Sequence, residues 1–174
     1  MNIAQLASQL KSTQAALLLS EENRLYFTGF PSSNGTLLVM PEESAFVTDS
    51  RYFEAASNTV TEAQVLLQDQ IYQQVFDLLQ KHSCTEILVE SERMTLSELN
   101  KWRKMLPTYS FNVSNRLDTL ANELREVKCD AEVEKMQKAQ DIAEKALEEL
   151  LHILKPGVAE RDLANELEYL MRKF

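Results

Sequence analysis

Only three of the 174 residues are glycine, and none sits in a glycine-rich run of the kind that wraps a phosphate. The chain accordingly has no GxGxxG, no P-loop and no GxSxG nucleophile elbow. Histidine is scarcer still. His82 and His152 stand alone, each near the end of a predicted helix, with neither an HExxH motif nor a neighbouring Asp to suggest a triad. Both read as solvated cations beside helix C-termini. The two cysteines, Cys84 and Cys129, lie far apart without CxxC spacing, which favours reduced thiols in a cytoplasmic protein over a disulfide or a zinc site. Cys84 lies two residues from His82, but residues two apart do not face a common point, so no Cys/His catalytic pair is expected.

Long hydrophobic runs are missing too. Ala15-Ala16-Leu17-Leu18-Leu19 is far shorter than the roughly 20 residues that span a bilayer. The N-terminus Met1-Asn2-Ile3-Ala4-Gln5 has no basic stretch leading into an apolar one. Positive charge is in deficit along the whole chain, with 13 acids against 8 bases in residues 1–110 and 14 against 10 in 111–174, for a net −9. No basic patch is visible, and a surface of this sign repels phosphate backbones and anionic lipid, so neither nucleic acid nor membrane partners are expected. The acidic pairs Glu21-Glu22, Glu42-Glu43 and Glu148-Glu149 read as solvated turns or helix faces. The expectation is a soluble, intracellular protein.

What is present is enough apolar content, 44%, for a real core. Residues 1–115 alternate short apolar segments with amphipathic ones, the signature of an α/β domain. Strands are predicted near 15–19, 24–28, 36–40, 44–48, 64–67, 86–90 and 109–113, and helices over 2–12, 50–58, 71–82 and 95–106. The segments at 36–40 and 44–48 are joined by Pro41-Glu42-Glu43, a short polar connection suited to a hairpin. Residues 116–130 read as a linker with room for a short helix. From about 116 onward the texture is continuous helix. Val133, Met136, Ala139, Ala143, Ala146, Leu147, Leu150 and Leu154 form one stripe over 131–154, which Pro156 and Gly157 bring to an end. Leu163, Leu167, Leu170 and Met171 form another over 160–173.

One segment has chemical interest. In Thr48-Asp49-Ser50-Arg51-Tyr52 an Arg follows a strand end, where its guanidinium could hold an anionic group or clamp Asp49. Asp49 or Ser50 as a helix N-cap is the structural reading, and the preferred one.

Asn23-Arg24-Leu25-Tyr26-Phe27-Thr28-Gly29-Phe30, then Gly35-Thr36-Leu37-Leu38-Val39, then Thr48-Asp49-Ser50-Arg51-Tyr52, are similar in order and spacing to the N-terminal domain of the Xaa-Pro aminopeptidase, prolidase and creatinase family. Leu124-Arg125-Glu126-Val127-Lys128, Glu132-Val133-Glu134-Lys135-Met136 and Lys155-Pro156-Gly157-Val158-Ala159-Glu160-Arg161 resemble the start of that family's "pita-bread" catalytic domain. The resemblance implies an α/β domain with a mixed, twisted sheet flanked by helices, of ribonuclease-H-like topology, followed by a helical C-terminal segment. It divides the chain into that domain over 1–115, the linker over 116–130, and the first two catalytic-domain helices over 131–174.

For the parent enzyme the resemblance implies two divalent ions, commonly manganese or cobalt, held by two Asp, one His and two Glu. It also implies hydrolysis of the bond before proline in proline-containing peptides, and self-association as a dimer. All five ligands are expected beyond Phe174, so no catalytic or metal residue is assigned here. The candidate contact with a partner's active site or with the dimer is the loop carrying Phe30, Ser32, Ser33 and Asn34, bordered by Gly29 and Gly35, with Arg51 and Tyr52 behind it. The alternative is a freestanding interaction module derived from the family. Where the family often has Ser-Pro and Thr or Ser, this chain has Cys129-Asp130 and Ala159, so weaker helix caps are expected there. The two helical stripes, lacking a catalytic sheet, are expected to pack on each other, on the α/β domain or on a second chain.

Overall fold

The apolar segments assemble into a six-stranded sheet in the order β4-β3-β2-β1-β5-β6, in a computed structural model that describes residues 2–174. The strands are β1 (Gln14–Leu18), β2 (Thr36–Val39), β3 (Ala45–Thr48), β4 (Gln64–Leu67), β5 (Glu86–Val89) and β6 (Ser110–Asn112). β2 is antiparallel to both β1 and β3, as expected of the hairpin, whereas β1–β5, β5–β6 and β3–β4 are parallel. Five strands therefore point one way, and β2 alone runs against them. The carboxyl ends of β1, β3 and β5 and the amino end of β2 lie along one edge of the sheet.

Helices cover both faces, which is why β1 is apolar from Ala15 to Leu18 and is buried throughout. Ala16 and Leu18 point into a core with Ile3, Leu6, Phe27, Phe46, Ala56 and Leu117. Ala15 and Leu17 point into the opposite core with Val75, Leu79, Leu99 and Trp102. The first face is closed by α1 (Asn2–Ser8), α2 (Glu21–Thr28), α3 (Ser50–Thr59) and α6 (Arg116–Glu126), and the second by α4 (Ile71–Lys81) and α5 (Leu96–Met105). α5 begins with a reciprocal capping box between Thr95 and Glu98.

Three expectations are corrected. Residues 24–28, rich in β-formers, belong to α2 and not to a strand. Ser20 caps the helix, Glu21 and Glu22 lie in its first turn, and Gly29 closes it at φ 68° with its N–H on the Leu25 carbonyl. Burial at Asn23, Arg24, Phe27 and Thr28 follows the helical period. Residues 116–126 are a full helix, with Leu117 and Ala121 in the core, and the compact units divide between Glu126 and Val127. His82 is not solvated, because its ring is largely buried and Nε2 lies 3.1 Å from Glu43.

The second unit consists of α7 (Asp130–Leu151) and α8 (Glu160–Lys173), which pack on each other. Ala146 and Leu170 are buried, and Lys145 Nζ sits 4.2 Å above the Phe174 ring. Val133, Met136, Leu147, Leu151, Leu154 and Met171 stay exposed, so mutual packing covers only part of the stripes. At the α7 start Glu132 accepts from the Cys129 N–H at 2.9 Å, while Ala159 gives α8 no side-chain cap.

Gly35 leads into β2 where a Cβ would lie 2.6 Å from Phe46 Cε2, inside the core. Gly35→Ala should therefore destabilise the chain by about 1–3 kcal/mol through overpacking, read as a lower urea midpoint at unchanged slope. A midpoint equal to wild type would show that Phe46 has free room.

Candidate functional site

The loops at the carboxyl edge of the sheet are held by a continuous polar network, and it begins with a buried anion. Glu90 follows β5 directly and is fully buried. Its carboxylate accepts from the N–H of Leu19 at 2.6 Å, the N–H of Ser20 at 2.9 Å, Asn23 Nδ2 at 2.7 Å and the Ser20 hydroxyl. One side chain thus ties the end of β5 to the end of β1 and to the first turn of α2. Asp118 of α6, also buried, accepts from the Ser91 N–H at 2.8 Å and its hydroxyl at 2.7 Å, fixing the next residue. Arg125 Nη1 donates to Asn23 Oδ1 at 3.2 Å.

Arg24 is the buried cation of the network. Its Nη2 donates to the Ser32 carbonyl at 2.7 Å, its Nε to the Ser32 hydroxyl at 3.4 Å, and its Nη1 to the Leu19 carbonyl. Burial pushes its pKa down from the usual arginine value, opposed by Glu21 and Glu90. Thr28 Oγ1 donates to the Arg24 carbonyl at 2.6 Å and receives the Phe30 N–H at 3.1 Å, which turns the chain out of α2.

The six residues singled out from the sequence come together here, in two different roles. Phe30 and Ser32 point inward. Phe30 meets Phe46 and Tyr52 edge to face, with ring centroids 6.4 and 6.2 Å apart. Ser33, Asn34, Arg51 and Tyr52 form the outer surface. The Ser33 and Tyr52 hydroxyls are 2.8 Å apart, Asn34 Nδ2 donates to Asp49 at 2.8 Å, and the Asn34 carbonyl accepts from Thr48 Oγ1 at 3.0 Å. Arg51 is not left open for an anion. It forms a two-point pair with Asp49, at 3.1 Å from Nε and 2.7 Å from Nη2, while Asp49 caps α3 through the Arg51 N–H. The bonds from Arg51, then the one from Asn34, hold the Asp49 carboxyl well below the usual range, and Asp49 in turn raises Arg51. The hydrogen bond from Ser33 lowers the Tyr52 phenol.

A cleft of about 350 Å³ opens beside this network, lined by Leu19, Ser20, Glu22, Glu90, Arg93, Met94, Thr95 and Glu98. Its polar groups are already engaged, Glu90 as above, Glu98 with Thr95, and Arg93 with Glu22 at 3.2 Å. Cys84 is buried against the carbonyls of Gln14 and His82, and burial raises its thiol pKa, which makes it a poor nucleophile. Among the described residues no three His, Cys, Asp or Glu side chains converge as a metal site, and no helix is long and apolar enough to cross a membrane.

Residues 4–127 match the family described as the creatinase/prolidase N-terminal domain. The chain belongs to that family. Residues 134–174 match metallopeptidase family M24, so this creatinase/prolidase N-terminal domain is followed by the start of an M24 domain. Family M24 implies metal use by the parent protein, and the described residues do not form a site for it. The Xaa-Pro dipeptidase of Bacillus anthracis superposes with a TM-score of 0.89 at 28% identity, over 99% of this chain and 48% of that one. The X-Pro aminopeptidase of Thermotoga maritima gives 0.85 at 26%, over 97% and 49%. In sequence, the uncharacterized peptidase YqhT of Bacillus subtilis is 29% identical over 161 residues, covering 90% of this chain and 44% of that protein. The chain thus spans less than half the length of these relatives.

Asn23, Arg24, Glu90 and Asp118 escaped the sequence reading as site residues. The available signal was a charged residue set into an apolar run: Arg24 before Leu25-Tyr26-Phe27, and Glu90 after Ile87-Leu88-Val89.

Two outcomes are expected. Glu90→Gln puts an amide donor among four donors and should cost about 1–3 kcal/mol in urea denaturation; an unchanged midpoint would show that the network does not need the anion. For Asp49, a folded pKa below the unfolded value of about 3.9 gives stability that is complete above the unfolded pKa and is lost as pH falls through the folded one. The Tm gap between wild type and Asp49→Asn, which keeps the cap, should be constant above about pH 5 and narrow progressively as pH falls below about 4 towards the folded pKa. A gap independent of pH would remove the charge as its source.

Proposed function

We propose that this chain is the non-catalytic N-terminal part of an Xaa-Pro metallopeptidase, and that its surface at Ser33, Asn34, Arg51 and Tyr52 contributes to a dimer and shapes the active site of a neighbouring subunit. The ordered match carries the reading: a creatinase/prolidase N-terminal domain over 4–127, then the opening of an M24 domain over 134–174. The two superposed structures, an Xaa-Pro dipeptidase and an X-Pro aminopeptidase, support the reaction class, hydrolysis at Xaa-Pro bonds. The parent enzyme would cleave proline-containing peptides with two divalent ions, manganese or cobalt; among the described residues no ligand set for them converges.

The outer surface suits a shaping role. A loop built only from flexible polar residues would lose entropy on meeting a partner, whereas each outer side chain here already has a fixed partner. Free thiols at Cys84 and Cys129 are consistent with a cytoplasmic setting.

In the full-length peptidase, Ser33→Ala combined with Asn34→Ala, and separately Tyr52→Phe, should lower kcat/KM for Xaa-Pro substrates roughly three- to tenfold, by analogy with a lost hydrogen bond, with metal content unchanged. Unchanged kcat/KM for every Xaa-Pro substrate would sink the shaping role, and a strictly monomeric full-length protein in light scattering would sink the dimer.

A further inference from the structure

We propose that Arg24 is the positioning residue of this surface, and that a buried ion pair relayed through a single peptide group locks it in place. The geometry is specific. The peptide joining Leu19 to Ser20 presents its N–H to the Glu90 carboxylate at 2.9 Å and its C=O to Arg24 Nη1. The anion thus sits at the positive end of that peptide dipole and the cation at the negative end, so the dipole favours both charges.

Arg24 belongs to no direct ion pair among the described residues. A buried guanidinium without a touching carboxylate is costly unless its donors are satisfied. Here all three nitrogens are bound, two of them to Ser32. Arg24 therefore carries the order imposed by Glu90 at the end of β1 and β5 outward to residues 30–34. Ser32, held from inside, leaves its neighbours Ser33 and Asn34 pointing out, where they meet Tyr52 and Asp49. Lysine keeps the charge but has no fork that reaches Ser32 and Leu19 together.

The kinetic part of the test rests on the proposed shaping role; the structural part does not. In the full chain, Arg24→Lys should speed amide exchange of Ser32, Ser33, Asn34 and Gly35 by about tenfold or more, with α4 and β6 unchanged. Ser32→Ala, which leaves the 2.7 Å carbonyl contact intact, should have a clearly smaller effect. In the full-length peptidase, Arg24→Lys should raise KM for Xaa-Pro peptides several-fold while kcat stays within about twofold, because a loosened loop weakens binding without touching the reacting atoms. Local exchange gained with kinetics unchanged would uphold positioning by Arg24 and overturn the shaping role. Exchange at residues 32–35 equal to wild type would overturn the positioning itself. A second measurement needs no variant and decides the matter if Arg24→Lys unfolds the chain. In the ¹⁵N-labelled wild type, the Arg24 Nε–H should exchange slowly and show a nuclear Overhauser contact to Ser32; a rapidly exchanging Nε–H overturns the proposal.

Discussion

The carboxylate of Glu90 is the interaction on which this end of the fold depends. In an open sheet of mostly parallel strands, the place where the strand order turns back leaves a crevice at the carboxyl ends, and ligands commonly bind there. Here that place lies between β1 and β5, and Glu90 occupies it. Backbone N–H groups that would otherwise attract an anionic ligand are satisfied by the protein's own anion. The neighbouring cleft is likewise occupied by its own pairs, Arg93 with Glu22 and Thr95 with Glu98. Strand-end geometry has been turned from binding to holding.

Holding requires a cation as well. A lone buried carboxylate would carry a large desolvation cost, and Arg24 offsets it without touching it, through the Leu19–Ser20 peptide. The separation has a structural use. A direct Glu90–Arg24 pair would exhaust the guanidinium at the sheet edge; the relayed one leaves two of its nitrogens free to grip Ser32. The pair at the surface works differently. Asp49 and Arg51 lie two residues apart on the chain and the guanidinium is largely in water, so their attraction is screened. What they contribute is a capped α3 and a fixed partner for Asn34.

Much of this architecture is legible in the sequence because its signals are local. The β2–β3 hairpin, the starts of α3 and α8, the stripes of α4 and α5 and the family resemblance all come from residues close together on the chain. The misread segments are those where local and tertiary signals conflict. Leu25, Tyr26, Phe27 and Thr28 favour a strand by propensity, and capping by Ser20 with a left-handed Gly29 outweighs it. Residues 116–126 look polar enough for a linker, yet Leu117, Asp118 and Ala121 each have a buried partner waiting in the α/β unit. His82 finds Glu43, which is 39 residues away and invisible to any spacing rule. The candidate loop was recognisable from its glycine borders. Its division into inner anchors, Phe30 and Ser32, and outer groups, Ser33 and Asn34, was not, because that follows from Arg24 lying in a helix rather than a strand. In a strand, Arg24 would sit beside alternate residues; in α2 its guanidinium reaches both Leu19 and Ser32.

The second unit shows the opposite balance between charge and burial. α7 carries few residues that the α7–α8 contact can cover, because two helices bury only one stripe of each. Ala146 and Leu170 are small and medium side chains that allow close approach, while Val133, Met136, Leu147, Leu151 and Leu154 remain in water. Leu147, Leu151 and Leu154 are each about half exposed, so each leaves unrealised roughly half of the 1.5–3 kcal/mol that full burial gives. α7 nevertheless has ample local support for its length, from Glu132 at its first turn and from i,i+4 bonds such as Gln137 to Asp141 and Gln140 to Glu144. Local bonds of this kind favour a helix whatever packs on it. The unit therefore forms its helices from local interactions, whereas the α/β unit orders its loops through contacts between residues 70 positions apart. That difference explains why the sequence alone defines α7 and α8 well and defines the Glu90 network hardly at all.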